Sequence, residues 1–213
     1  MRSLSPSDRW LALMLAALAG YVDSLGFLHL GGVFVSFMSG NTTRLAVNLA
    51  AGRWEAAAAI GGILVLFVVG AMIGALAAGD GGPRSRSRVL FLEGLLLAGA
   101  ALAAAAGAPI LAVALMVLAM ATENSVFLRD GEVAVSLTYM TGTLVKAGQA
   151  LAAILRRTGD PWAFRPYLAL WAGLAGGALV GGLVHGWLGL NALWPAAAAA
   201  LLLSVAARVR PAA

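Results

Sequence analysis

The chain of 213 residues contains no cysteine, and charged residues make up only 11% of it. Without cysteine the protein has no disulfide, no thiolate metal site and no cysteine nucleophile. Charge is also scarce, because about a quarter of the residues in a soluble domain are charged. The sequence holds no HExxH, GxSxG, Walker loop or His cluster either. We therefore predict no enzyme, no cofactor and no metal.

Apolar residues are abundant, at 62% of the chain with a mean hydropathy of +0.93. A membrane-spanning helix needs about 20 mainly apolar residues. Segments of this kind fall at about 10–29, 34–52, 55–79, 89–107, 109–128, 134–155, 166–187 and 190–208. We expect an all-α, polytopic transmembrane helix bundle of about eight spans, six at the fewest, with no soluble domain.

The net charge of +5 is read as a topology signal, since the arginines lie mostly between apolar segments. With eight spans, eight arginines fall on one side and four on the other, which predicts cytoplasmic termini in a bacterial inner membrane. The RSRSR cluster at 84–88 lies on the side with fewer arginines and argues against this orientation. The first apolar run carries Asp23 and has no clear cleavage site, so we expect a retained helix rather than a signal peptide.

An internal repeat links the two halves of the sequence. Residues 19–50 align with 120–152, which places Asp23 on Glu123 and Arg44 on Lys146, and 69–79 align with 176–186. We predict a single membrane domain with homologous halves at 1–107 and 108–213, each of four helices. Four spans per half would make the repeats parallel, whereas three would make them inverted.

Four ionisable residues inside predicted spans are the most informative: Asp23, Arg44, Glu123 and Lys146. A charge at the centre of a span costs about 2.5–3.5 kcal/mol on insertion scales. Helical spacing makes the pairs Asp23–Arg44 and Glu123–Lys146 feasible. Such pairs either line a polar cavity or only lock neighbouring helices together.

The segments FMSGNTT (37–43) and YMTGTL (139–144) place polar residues and a glycine inside an apolar span. Each is either a helix break whose N–H groups hold a polar or anionic solute, or a notch for close helix packing. Glu93 follows the RSRSR cluster, and we expect it to be an interfacial partner of those arginines. The predicted substrate-binding residues are Asp23, Ser39, Gly40, Asn41, Thr42, Arg44, Glu123, Asn124, Thr141, Gly142, Thr143 and Lys146.

At GYVDSLGFLHLGGVFVSFMSGNTTRLAVNLA (20–50) and TYMTGTLVKAGQALA (138–152) the sequence resembles the YoaK family of bacterial integral membrane proteins. The resemblance covers nearly the whole chain, although Ser39 stands where a Thr is expected. It implies an inner-membrane protein of about six to eight helices and, because the family's function is unknown, no substrate.

These features favour a small secondary transporter or permease for a polar or anionic solute, with its site between the halves. Asp23 and Glu123 would couple transport to protons or a monovalent cation. The alternative is a non-transporting protein for binding, sensing or assembly, with structural ion pairs in the membrane. The expected partners are the lipid bilayer and a small solute, without nucleic acid, and a homodimer stays open.

Overall fold

The computed structural model describes residues 5–79, 81–129, 132–133 and 140–209, and this part of the chain is almost entirely helical. Every predicted span contains a helix, which confirms the all-α class. The α-helices are α1 Pro6–His29, α2 Met38–Ala50, α3 Trp54–Ala78, α4 Pro83–Ala105, α5 Pro109–Glu123, α6 Met140–Leu155, α7 Arg165–Leu188 and α8 Leu193–Val209.

Several helix ends differ from the prediction. Helix α2 begins at Met38, four residues late, and α5 ends at Glu123, after which a two-residue strand, β1 (Leu128–Arg129), pairs antiparallel with β2 (Glu132–Val133). Helix α4 begins at Pro83 instead of 89, because proline is favoured in the first turn of a helix. Residues 134–139, expected as the start of the sixth helix, lie outside the described part of the chain.

Four helical stretches of the described chain are long and apolar enough to cross a membrane: Pro6–His29, Trp54–Ala78, Arg84–Ala105 and Arg165–Arg208. The last joins α7 and α8 through the short 3-10 helix Gly189–Ala192. The outer faces of these helices are apolar, and Leu76 and Trp187 are exposed by 75% and 88%. Such a surface suits lipid rather than water.

Two glycine seams hold helices side by side in the same direction. Along α1 and α7, Leu13, Ala17 and Tyr21 meet Gly173, Gly177 and Gly181 in that order. Along α3 and α5, Gly70 meets Leu118 and Gly74 meets Thr122. In each pair of helices, the contacting residues follow the same order along both helices. Helix α1 is therefore parallel to α7, and α3 is parallel to α5. The small residues let the backbones approach closely, as in other membrane helix pairs.

Polar contacts fix which helix ends lie together. The carboxylate of Asp8, in the first turn of α1, forms an ion pair with Arg86, in the first turn of α4. The Ser204 hydroxyl near the end of α8 donates a hydrogen bond to the Ser87 carbonyl (2.9 Å). The beginnings of α1 and α4 and the end of α8 therefore lie at the same end of the bundle.

Two neighbouring glycines of α7 provide a test of the α1–α7 seam. A Cβ at Gly177 would overlap the backbone of Ala17, whereas a Cβ at Gly176 would meet nothing within 4 Å. We expect Gly177→Ala to lower the thermal stability of the purified protein, because the helices must separate, and Gly176→Ala to leave it unchanged or raise it slightly. Equal melting temperatures for the two variants would contradict the seam.

Candidate functional site

The segment between α1 and α2, residues 30–37, turns back alongside the helix that it leaves. The Asp23 Oδ1 atom accepts hydrogen bonds from the backbone N–H groups of Val35 and Ser36, each at 2.8 Å. Asp23 lies six positions before His29, the last residue of α1. At a rise of about 1.5 Å per residue, Val35 and Ser36 therefore lie about 9 Å back from the end of α1.

Asn41, in the first turns of α2, holds the other end of this segment. Its side-chain oxygen accepts the Phe34 N–H (3.0 Å) and its Nδ2 donates to the Phe34 carbonyl (2.7 Å). The side chain is fully buried. The rings of Phe27 and Phe37 both contact the Phe34 ring, at centroid distances of 4.8 and 5.3 Å. The segment is thus a fixed structure, with backbone groups satisfied by side chains.

Arg44 lies farther along α2, where its guanidinium reaches the end of α1. Nη2 donates to the Gly31 carbonyl at 3.4 Å, and the group covers Gly32, whose φ of +98° suits glycine. Within the described residues no ion pair joins Arg44 to Asp23. The predicted Asp23–Arg44 pair is therefore wrong, because the Asp23 carboxylate binds backbone N–H groups.

Glu123 is fully buried at the end of α5, beside a second buried acid on α4. That acid is Glu93, and the two carboxyl groups interact electrostatically. Across the described part of the chain, all four carboxyl oxygens lack a hydrogen-bond partner. Lys146 is exposed on α6, and no described contact links it to Glu123. The predicted Glu123–Lys146 pair and the interfacial role expected for Glu93 are both wrong.

The other predicted site residues lie on α2, on α6 and directly after the end of α5. On α2, Ser39 and Thr42 are exposed, the Thr42 hydroxyl donates to the Met38 carbonyl of its own helix (2.8 Å), and Gly40 packs under Phe37. In the second half, Thr143 is buried, Thr141 is exposed, Gly142 is half-buried, and the Asn124 amide donates to the Met120 carbonyl (3.0 Å).

Helix α2 packs on α3 and helix α6 packs on α7, and the described residues show no extensive contact between α2 and α6. The structure therefore does not gather the predicted residues into one cavity between the halves. Their role in substrate binding stays a prediction. The described residues contain no group of three His, Cys, Asp or Glu side chains that could hold a metal.

The depth predicted for Glu93 from the sequence is wrong. A helix beginning at 89 puts Glu93 in the first turn, at the membrane surface, whereas a helix beginning at Pro83 puts it ten positions inside. The signal was present in the sequence, since Pro83 follows Gly81 and Gly82, and this pattern is typical of a helix start.

The described residues define a polytopic α-helical membrane protein with a pair of buried acids and a segment that turns back alongside α1. Residues 11–206 match a family described as protein of unknown function DUF1275, and the chain belongs to this family. The chain is 35% identical over 204 residues to the UPF0700 transmembrane protein RA0705 of Rhizobium meliloti (strain 1021), covering 92% of this chain and 84% of that protein. These matches confirm the resemblance found from the sequence. No solved structure matches the chain at a significant level.

The anchoring of the returning segment can be tested through Asp23 and Asn41. Asp23→Ala leaves two N–H groups without an acceptor, at about 1–3 kcal/mol each, so we expect a clear fall in thermal stability. Asn41→Ala should act similarly, whereas Thr42→Ala, whose exposed hydroxyl bonds only to its own helix, should be nearly neutral. Melting of the purified variants in detergent measures this. An Asp23→Ala variant as stable as Thr42→Ala would contradict the anchoring.

Proposed function

We propose that this protein is a secondary transporter for a small polar or anionic solute, with Glu93 and Glu123 as its coupling groups. The observation that carries the proposal is the buried pair of carboxyl groups, without hydrogen bond or cation among the described residues. Burying a carboxylate without a partner is very costly, and such residues in membrane segments typically mark ion or proton pathways.

The pair suits proton exchange by its chemistry. Two ionised carboxylates side by side in a dry interior would repel each other, and neither would have a compensating donor. A proton held between them relieves both costs, and its release needs access to water. Coupled binding of a proton and a solute would follow if that access changes when the two halves of the bundle rock against each other.

A six-crossing architecture with inverted halves supports this proposal. The ion pair Asp8–Arg86 supports a parallel arrangement of α1 and α4, in which α2 returns to the side it came from. Helix α2 is then a half-helix of 13 residues that follows a re-entrant segment. Irregular backbone of this kind is tolerated at membrane depth only inside protein or beside a cavity.

The distribution of arginine supports six crossings over the eight predicted from the sequence. In this arrangement, Arg53 lies on the side opposite the chain's start. Eight others lie on the same side as its start: Arg9, Arg84, Arg86, Arg88, Arg156, Arg157, Arg165 and Arg208. The RSRSR cluster no longer conflicts with the positive-inside rule. We infer cytoplasmic termini in a bacterial inner membrane.

The contacts between helices support the two-halves proposal. Helix α1 packs on α7 as α5 packs on α3, and α2 packs on α3 as α6 packs on α7. Gly181 meets Tyr21 and Ser24, while Gly74 meets Thr122 and Ser125. In this correspondence Tyr21 matches Thr122 and Ser24 matches Ser125. The first helix of each half is therefore shifted by one position from the alignment made on the sequence, and Asp23 pairs with Asn124 instead of Glu123. With three crossings each, the halves are inverted.

One observation favours a second candidate, a non-transporting binding or assembly protein. Asp23 and Asn41, both expected in the substrate site, hold the returning segment in place. If the protein does not transport, the polar residues of the membrane region stabilise the fold. The exposed Ser39 and Thr42 and the half-buried Arg44 of α2, and the exposed Thr141 and Lys146 of α6, then remain the candidates for solute contact under the transporter proposal.

The crossing number can be tested by labelling, because a cysteine introduced into this cysteine-free chain reports alone. We expect Arg53→Cys to react with a membrane-impermeant thiol reagent in intact cells. Ser7→Cys and Arg84→Cys should react only after permeabilisation. Eight crossings instead predict that positions 7 and 53 react together and that position 84 lies on the opposite side.

Transport can be tested in proteoliposomes that enclose a fluorescent pH indicator. Small carboxylates, phosphate esters, amino acids and sugars are added in turn, and we expect one class to move protons across the wild-type vesicles. Glu93→Gln and Glu123→Gln should abolish this proton movement, and Glu55→Gln, at an exposed position in the first turn of α3, should keep it. Unchanged proton movement in the first two variants, or none with any class in wild type, would contradict the proposal.

A further inference from the structure

The carboxyl pair, Glu93 and Glu123, lies about midway along α4, and the two directions from it differ in chemistry. Glu93 is about 15 Å from the start of α4 at Pro83 and about 18 Å from its end at Ala105, at a rise of about 1.5 Å per residue. Toward the end of α4, the packed helices α4, α5 and α8 carry no charged, hydroxyl or amide side chain over 94–105, 109–121 and 193–203. These three helices therefore offer no side chain that could relay a proton in that direction.

Polar side chains lie in the opposite direction, toward the end of the bundle where α1 and α4 begin. The hydroxyl of Ser204 donates to the Ser87 carbonyl there, and Arg86 forms its ion pair with Asp8. The Arg86 and Asp8 side chains are partly exposed, by 21% and 17%. The distance from this polar group to the carboxyl pair is about two turns of α4, since Glu93 follows Arg86 by seven residues.

Two apolar side chains lie between Arg86 and the carboxyl pair. Leu90 is fully buried and lies between Arg86 and Glu93 on one face of α4, because residues i, i+4 and i+7 share a face. The buried Phe127 follows Glu123 by four residues, in turns that continue from α5. The Arg86 guanidinium carbon lies 5.3 Å from the centre of the Phe127 ring. Phe127 therefore meets the face of α4 that carries Glu93, nearer to the start of that helix.

We propose that protons reach the carboxyl pair from the end of the bundle where α1 and α4 begin, by a route that Leu90 and Phe127 close. A constriction of apolar side chains excludes water, and movement of one ring can admit it. The ion pair with Asp8 fixes Arg86, which in turn holds the Phe127 ring in the closed position through a cation–π contact. The proposal rests on the proton role proposed for the carboxyl pair, and it adds the side of access and the gate.

The gate is tested by thiol labelling of the cysteine-free protein in nanodiscs, where a charged methanethiosulfonate reagent reaches both membrane surfaces. Leu90→Cys reports the gate, and Leu97→Cys, equally buried and four positions beyond Glu93, reports the apolar direction. We expect both cysteines to react slowly while Phe127 is in place. In Phe127→Ala, Leu90→Cys alone should react about tenfold faster, because a thiol reacts as the thiolate and needs access to water.

Two further variants separate the gate from a general loosening of the fold. Reaction of Leu97→Cys together with Leu90→Cys would show that Phe127→Ala has opened the whole bundle, and Phe127→Val, which leaves a smaller gap, then takes its place. Arg86→Gln removes the cation–π contact but keeps the ring, so it should speed the reaction of Leu90→Cys less than Phe127→Ala does. An unchanged rate at Leu90→Cys in all these variants would overturn the proposed route, as would faster reaction at Leu97→Cys alone.

Proton flux under a membrane potential links the gate to the carboxyl pair. In proteoliposomes with an enclosed pH indicator and no solute, we expect no flux through the wild type and a proton leak through Phe127→Ala. Adding Glu93→Gln and Glu123→Gln to that variant should stop the leak. Faster labelling of Leu90→Cys without a leak would contradict the proton role of the pair, and the route with it. Solute-coupled proton movement in the wild type, with labelling unchanged by Phe127→Ala, would contradict the gate and leave the transport proposal intact.

Discussion

The structure depends on how backbone N–H groups are satisfied in a segment that lies away from water. Residues 30–37 are not helical, so their backbone groups need partners from elsewhere in the chain. The Asp23 carboxylate binds two of these N–H groups, and the Asn41 amide binds both backbone groups of Phe34. The Asp23 and Asn41 side chains thus stabilise an otherwise unfavourable backbone.

The arrangement of the helices follows from this segment. Because residues 30–37 return alongside α1, α2 begins inside the bundle and ends near its surface, and α3 can run opposite to α1. The ion pair between Asp8 and Arg86 and the parallel α1–α7 and α3–α5 seams all agree with that path. Helices α4 and α5 are joined by residues 106–108 and pack on each other, which brings Glu93 beside Glu123.

The sequence was sufficient for the membrane class and the helical segments, because hydropathy is a local signal. It was not sufficient for the partners of Asp23 and Glu123. Helical spacing alone favoured Arg44 and Lys146, but Asp23 binds the backbone of a segment with no sequence periodicity. The depth of Glu93 in the membrane depended on where α4 begins. A helix that begins at Pro83, six residues before the predicted start at 89, places the Glu93 side chain in the interior instead of at the surface. The number of crossings depends on contacts between distant residues, such as Asp8 with Arg86, which no local pattern reveals.

Hydrogen exchange at Val35 and Ser36 tests the central claim most directly. If Asp23 holds this segment, both amides exchange slowly in the wild-type protein and fast in Asp23→Ala, while the amides of the α1–α7 seam stay slow in both. Fast exchange at Val35 and Ser36 in the wild type would contradict the anchored segment. The six-crossing path and the inverted halves would then lose their basis.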